Sequence, residues 1–458
     1  MESPKNIEIL SEVTAENYSP ENHDENQNIE EVVNCNSENV ELRRSSRIRN
    51  PPEFYGERAN ICIQPFDEPA TVKSAMAGAD SLKWKDAMSK EIDSMYKNKV
   101  WDLVEKPINR NLISSKWIFK KKIGADGEVS TYKARLVAQG YSQKEGVDYD
   151  EIFSPVVRFE TVRTILALSS KYKFVLHQMD VSSAFLNGDL QEELYMAQPE
   201  GFIASGEEHL VCKLKKSIYE LKQAPRCWNS CLDIFFKSLD FQKSTTDSCI
   251  YTKYQNGSMS IVSVYVDDII IACESENNLL EIKSSLCSRF EMKDLGLLNY
   301  FLGVNIVQNS DFFFIHQSNF IKSLLEKFGF ENSKPISTPV DVSISLEKAG
   351  DDFAPCDVEK YQSAVGALLY LSMRTRPDIT FAVCNVAKFA SKPTLSHWLA
   401  VKRIFRYLKG TTNFGIMYNR HNGSDDCIGY SDADWAGDNN DRKSTSGYCF
   451  CADNKQVS

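Results

Sequence analysis

SIVSVYVDDIIIAC, residues 260–273, sets two adjacent aspartates, Asp267 and Asp268, between two runs of β-branched and apolar side chains. The pattern predicts two antiparallel strands with the aspartates at or near the turn that joins them. A turn of that kind lifts both carboxylates clear of the apolar sheet. Aspartate is also common in turns on its own account, because its side chain hydrogen-bonds nearby backbone. An isolated Asp-Asp pair therefore carries no chemistry unless other carboxylates join it.

Asp180 is such a partner. Residues 172–190, YKFVLHQMDVSSAFLNGDL, contain an apolar, strand-like run that ends in Met179-Asp180 and is followed by small residues and Phe185. Two Mg²⁺ ions about 4 Å apart clamp the attacking and leaving oxygens of phosphoryl transfer, and they need several carboxylates converging from different elements. Asp180, Asp267 and Asp268 meet that requirement.

Charge is unevenly spread along the chain. Of its 63 acids and 53 bases, 11 acids and one base fall within residues 1–42, so the rest carries 52 of each and the net charge of −10 belongs to the N-terminus. Local charge must then select the partner. Lys106–Arg135 holds eight bases against Asp126 and Glu128, an excess that suits a phosphate-facing surface, although a solvated hairpin face would look similar. The 13 cysteines form no CxxC pair and no His/Cys ligand spacing, and Cys449 and Cys451 are spaced to share one strand face. Free thiols and no structural zinc are expected. With no signal peptide and no apolar run near about 18 residues, the chain reads as soluble and intracellular, with no membrane partner.

Residues 1–80 are acidic, rich in Asn and Ser, and without sustained periodicity, which predicts disorder. The basic cluster RRSSRIRNPPEFY, residues 43–55, fits a nucleic-acid contact, a nuclear import signal or a linker. From Leu82, LKWKDAMSKEIDSMYKN places Trp84, Met88, Ile92 and Met95 on one face of a helix that opens the folded body. Residues 114–141 then predict a hairpin that turns at Gly124 and Asp126-Gly127. Three amphipathic helices are expected in EKYQSAVGALLYLSMRT, DITFAVCNVAKFAS and LSHWLAVKRIFRYLKG, with Gly410 capping the last. CIGYSDADWAG and SGYCFCAD are strand-like.

Taken together, KARLVAQGYSQKEGVDYDEIFSPVVRFETVRTILAL (133–168), QMDVSSAFLNGDLQEELYMAQPEGF (178–202), KLKKSIYELKQAPRCW (213–228), YVDD (265–268), DLGLLNYFLGVNI (294–306), RPDITFAV (376–383) and YSDADWAGDNNDRKSTSGY (430–448) resemble, in order, the reverse transcriptases of copia-type LTR retrotransposons. The resemblance covers roughly Trp84 to the C-terminus. It implies an α+β right-hand polymerase: a disordered acidic segment (1–80), a reverse transcriptase of fingers, palm and thumb (81–345), a helical connection (346–425) and the first strands of an RNase H-like domain (426–458). The implied activity is RNA-directed DNA synthesis from deoxynucleoside triphosphates on a primer annealed to an RNA or DNA template. Other Pol or Gag products are implied as partners, and a cytoplasmic virus-like particle, or the nucleus, as the location.

The same resemblance implies roles for single residues. Asp180 and Asp267 would bind catalytic Mg²⁺, or Mn²⁺ in its place, with Asp268 as a supporting ligand. Phe185 resembles the aromatic that excludes a ribose 2′-hydroxyl, Gln223 the glutamine that contacts the incoming nucleotide, and Arg135 the fingers cation that grips its triphosphate. Leu302 and Gly303 resemble the primer grip. Asp432 resembles the first metal carboxylate of RNase H, with Asp434 nearby. The family's second RNase H acid lies further downstream than Ser458, so RNase H activity is not expected of these residues. Glu220 and Asp240 stand where the family usually has glycine, which puts vigorous activity in doubt. The rival expectation is a decayed or domesticated derivative that binds nucleic acid or protein without catalysis.

Overall fold

The computed structural model describes residues 68–108, 110–123, 129–255, 257–341, 343–348, 350, 354, 356–420, 427–452 and 455–457. The acidic stretch before residue 68, the basic cluster at 43–55 and the turn expected at Gly124 and Asp126-Gly127 lie outside the described residues. Order begins earlier than residue 81, where the sequence places it. Helix α1 (Val72–Ala77) starts in a capping box in which Thr71 and Ser74 satisfy each other's backbone amides, and its Ala75 is buried. Glu68 just before it accepts from the Lys121 amide and the Lys120 ammonium. Those contacts are long-range, and no local periodicity announces them.

Helix α2 (Ser81–Lys97) buries Trp84, Met88, Ile92 and Met95, the four residues its period sets on one face. It packs on the hairpin of β3 (Ser115–Ile123) and β4 (Val129–Ala138), which follows β1 (Trp101–Val104) and β2 (Leu112–Ile113). After α3 (Phe159–Lys171) come β5 (Val175–Val181), β6 (Asp189–Met196), β7 (Val211–Lys216) and α4 (Ala224–Ser238). Next are β8 (Gln242–Lys243), β9 (Ile250–Gln255), β10 (Ser258–Tyr265), β11 (Asp268–Cys273), α5 (Glu276–Arg289) and β12 (Met292–Leu297). A six-stranded sheet runs in the order β12-β5-β11-β10-β9-β8, and a four-stranded one in the order β1-β7-β6-β2.

The central strands of the larger sheet are covered on both faces. Ile269, Ile271 and Cys273 pack with Trp228, Phe236 and Leu286 on one side. Ile270 and Ala272 pack with Leu166, Phe301 and Ile306 on the other. This double burial explains why IIIAC is a continuous apolar run, since alternation appears only where one face meets water.

The chain continues through β13 (Tyr300–Phe301), β14 (Val304–Gln308), β15 (Phe312–His316) and α6 (Ser318–Phe328) to the three helices the periodicity predicts. These are α7 (Val358–Arg374), α8 (Thr380–Ala387) and α9 (Leu395–Gly410), which share one core with α6. Gly410 is not the left-handed cap expected of it. It is the last helical residue, Thr411 is the C-cap with φ −130°, and a Cβ at Gly410 would lie 3.1 Å from Pro335. Strand β16 (Gly415–Asn419) pairs with β15, completing a four-stranded sheet β13-β14-β15-β16 whose last strand is separated from the other three by the whole helical segment. The last strands are β17 (Cys427–Ala433), β18 (Ser446–Ala452) and β19 (Lys455–Gln456). On β18 the sulfurs of Cys449 and Cys451 lie 3.7 Å apart. No helix among the described residues is long and apolar enough to cross a membrane.

Both residues noted as standing in place of glycine adopt left-handed backbone: Glu220 has φ 68° and Asp240 φ 64°. Asp240 follows the Leu239 C-cap of α4, where a positive φ ends the helix. Both side chains are exposed, so only the backbone changes on substitution. Glu220→Gly and Asp240→Gly should each raise stability, by up to about 1 kcal/mol after the entropic cost of glycine, with the larger gain at Glu220 because aspartate tolerates this conformation better. Urea unfolding measures the difference.

Candidate active site

Strands β10 and β11 close on the pair Tyr265 and Asp268, so Val266 and Asp267 form the two-residue turn of the hairpin. Val266 has φ 54°, a conformation that a β-branched residue rarely adopts. Two donors from other elements hold the turn. The Trp228 indole N–H of α4 donates to the Val266 carbonyl at 2.6 Å, and the Val181 amide of β5 donates to the Asp267 carbonyl at 2.8 Å. Strand β5 pairs with β11 so that Asp180 lies directly opposite Asp268. Backbone register alone therefore gathers Asp180, Asp267 and Asp268, all half-buried, at one end of the sheet.

Burial pushes the Asp267 carboxyl above the usual range; Asp180 adds to the rise, and Arg135 and Lys133 oppose it. Asp268 is raised by burial, against the Gln178 amide that donates to it at 3.0 Å, and then by Asp267 and Asp180. The donors are all hard oxygens, the set that suits Mg²⁺, and Asp180 raises the proton affinity of both Asp267 and Asp268, a penalty that a bound divalent cation relieves. Among the described residues no three His, Cys, Asp or Glu side chains close on a common point able to hold a metal ion. Register thus brings the three acids to one end of the sheet without closing their side chains on a common point.

Strand β4 supplies the positive side. Lys133 and Arg135 are two residues apart and share a strand face. Burial lowers the Lys133 ammonium, with Asp180 among the groups opposing that shift. The Arg135 guanidinium lies 5.2 Å from the Tyr219 ring centre, and its Nε is buried with no hydrogen-bond partner among the described residues. Phe185 meets the same Tyr219 ring edge-on at 5.4 Å, while its carbonyl accepts from Ser217 Oγ at 2.5 Å. Tyr219 thus links Arg135 to Phe185.

Gln223 is held inside the chain. Its side chain is fully buried, accepting from Gln143 Nε2 at 3.0 Å and donating to the Asp148 carbonyl at 2.9 Å. Both ends of the amide are occupied within the chain, where it braces the 143–148 loop. Leu302 and Gly303 form the two-residue turn between β13 and β14, beside the acids through an edge contact of Phe301 with Tyr265 at 6.3 Å. Asp432 and Asp434 stand apart on the exposed β17–β18 hairpin. Asp434 accepts from the Thr445 amide at 2.7 Å, which closes that loop. Lys133, Gln178, Tyr219 and Trp228 were not singled out from the sequence. Alternation along β4 offered a signal for Lys133, but nothing local marked the other three.

Residues 98–342 match the family described as reverse transcriptase (RNA-dependent DNA polymerase). The chain is 42% identical over 421 residues to the retrovirus-related Pol polyprotein from transposon TNT 1-94 of Nicotiana tabacum, covering 89% of this chain and 31% of that protein. It is 36% identical over 414 residues to the corresponding polyprotein from transposon RE2 of Arabidopsis thaliana, covering 90% and 28%. An uncharacterized mitochondrial protein of Arabidopsis thaliana is 37% identical over 186 residues, 41% of this chain and 76% of that protein. The chain therefore spans under a third of the length of the two Pol polyproteins.

The electrostatics of the acids set a test that needs no activity. A carboxyl whose folded pKa lies above its unfolded value favours folding only while protonated; that contribution is complete below about 3.9 and is lost as pH rises through the folded value. In chelator at neutral pH, Asp267→Asn should raise the thermal midpoint by a few degrees, and at about pH 3 the two proteins should melt together. A variant less stable at neutral pH would contradict the buried, mutually repelling arrangement.

Proposed function

This chain belongs to the reverse transcriptase family of copia-type retrotransposon Pol polyproteins, and on that premise we propose that it extends a DNA primer on an RNA or DNA template by two-metal nucleotidyl transfer. The observation that carries the reading is the pairing of Asp180 with Asp268 beside the Asp267 turn. In this reading the six-stranded sheet is the palm, the β3–β4 hairpin belongs to the fingers, and the Leu302–Gly303 turn is the primer grip. Asp180 and Asp267 would hold the divalent cations, with Asp268 in support. Bound Mg²⁺ supplies the charge that makes the primer 3′-hydroxyl a better nucleophile and neutralises the departing pyrophosphate.

The chain's own residues position and select. Arg135 and Lys133 bind the triphosphate, which carries no base information, so all four nucleotides are gripped alike. Phe185, five residues after Asp180 and braced by Tyr219, lies below the sugar and rejects a 2′-hydroxyl by steric overlap. Gln223 acts at one remove, by holding the loop that flanks this pocket.

Primer extension by the full chain on an RNA template with Mg²⁺ tests the reading. Asp180→Asn and Asp267→Asn should each slow extension by more than about 100-fold while leaving primer–template binding within about twofold. Persistent extension by Asp267→Asn would overturn the assignment. Tight binding with no extension by the unmodified chain would favour the non-catalytic derivative.

Sugar selection gives a separate measurement. Phe185→Val should move the ratio of ribonucleotide to deoxynucleotide incorporation toward unity. If Phe185 only fills the core, both rates should fall together and stability should drop by a few kcal/mol.

A further inference from the structure

The turn between β13 and β14 is unusual in both its residues. Leu302 has φ 48° and Gly303 φ 80°, the two positive values of a type I′ hairpin turn. Glycine takes that conformation without cost, whereas leucine does not, so something outside the hairpin must keep Leu302 there.

The restraint comes from a distant part of the chain. The Tyr370 hydroxyl of α7 donates to the Leu302 carbonyl at 2.7 Å. Gln317, the fully buried residue that precedes α6, donates from Nε2 to the Gly303 carbonyl at 3.1 Å. Its own oxygen accepts from Thr375 Oγ1 at 3.0 Å, at the C-cap of α7. Both carbonyls of the turn are therefore claimed by one buried chain of donors anchored on α7.

Three further contacts tighten the arrangement. A Cβ at Gly303 would lie 2.0 Å from the Tyr370 hydroxyl oxygen, so the glycine is required by the tyrosine as well as by its φ. The Tyr370 ring packs edge-on against Phe320 at 5.2 Å. Residue 301, immediately before the turn, touches Tyr265, which immediately precedes the Val266–Asp267 turn. Any shift of the Leu302–Gly303 turn is thus felt beside the carboxylates. Because the Leu302–Gly303 peptide is trans, the Gly303 amide points opposite to the Leu302 carbonyl, away from Tyr370.

We propose that Tyr370 is a positioning residue: it fixes the Leu302–Gly303 turn, and through it the placement of the primer terminus at the Asp180–Asp267–Asp268 end of the sheet. The inference rests on the primer-extending reading above. It makes the helical segment after residue 346 part of primer placement.

Tyr370→Phe in the full chain removes only the hydroxyl and keeps the ring. A control on the same helix is Tyr361→Phe, because the buried Tyr361 hydroxyl donates to the Val386 carbonyl at 2.7 Å, within the core of the helical segment. Tyr370→Phe should weaken binding of a fluorescent primer–template duplex and lower kcat for primer extension by about tenfold each, the size of one lost hydrogen bond, with KM for deoxynucleotides within about twofold. Tyr361→Phe should leave binding and kcat within about twofold of the unmodified chain at a comparable loss of Tm. Gly303→Ala should impair binding on its own and add less than its single-variant effect in the Tyr370→Phe background, where the 2.0 Å clash is gone. Equal behaviour of Tyr370→Phe and Tyr361→Phe, or full additivity with Gly303→Ala, would overturn the proposal. Failure of the unmodified chain to extend primers would sink the polymerase reading alone, because the binding comparison still decides the role of Tyr370. A chain that binds no duplex would overturn both.

Discussion

The register between β5 and β11 is the constraint on which the site depends. Asp180 opposes Asp268, and a slip of one residue would turn every side chain of a strand to the wrong face. Double burial prevents the slip. Ile269 and Ile271 are held in one core and Ile270 in another, so the two sets cannot trade places without mismatching two close-packed surfaces and driving the acids into apolar packing. The same packing that stabilises the sheet thus gathers three carboxylates that repel one another.

Charge of the opposite sign on β4 offsets part of that repulsion at Asp267. Burial raises Asp267 and Asp268, while Lys133 and Arg135 pull Asp267 back, and Lys133 is itself lowered by burial. The acids and the cations belong to separate cores, one around the six-stranded sheet and one around α2 and the β3–β4 hairpin. A ligand carrying both divalent metal and phosphate would satisfy the two sides together, which neither can do alone.

Two left-handed turns stand at this end of the molecule, and they are held in the same way. Val266 is restrained through its carbonyl by Trp228, and Leu302 through its carbonyl by Tyr370. In each case a bulky residue sits where glycine would be easier, and an aromatic donor from a helix outside the hairpin keeps it there. Strain confined to turns beside a candidate site and sustained by surrounding structure is what a rigidly placed backbone requires. Gly415 shows the opposite solution in the same sheet: a Cβ there would lie 2.1 Å from the Ile315 carbonyl oxygen, so strand approach itself demands glycine.

Local pattern alone was enough for much of this molecule. The SIVSVYVDDIIIAC hairpin, the strand ending at Asp180, the buried face of α2 and the three helices from α7 to α9 all follow from periodicity and turn chemistry, because each is decided by residues within a few positions of one another. Glu220 and Asp240 were legible only through the resemblance, as residues standing where the family usually has glycine, and both adopt a positive φ. What tertiary structure decided was whatever depends on partners far along the chain. The burial of Gln223 against Gln143, the strand β16 that completes a sheet begun at β13, the order at Glu68, and the donors Trp228 and Tyr370 are set by contacts across tens of residues. A side chain's type limits which hydrogen bonds it can make, but only the folded path of the chain determines which carbonyl it meets.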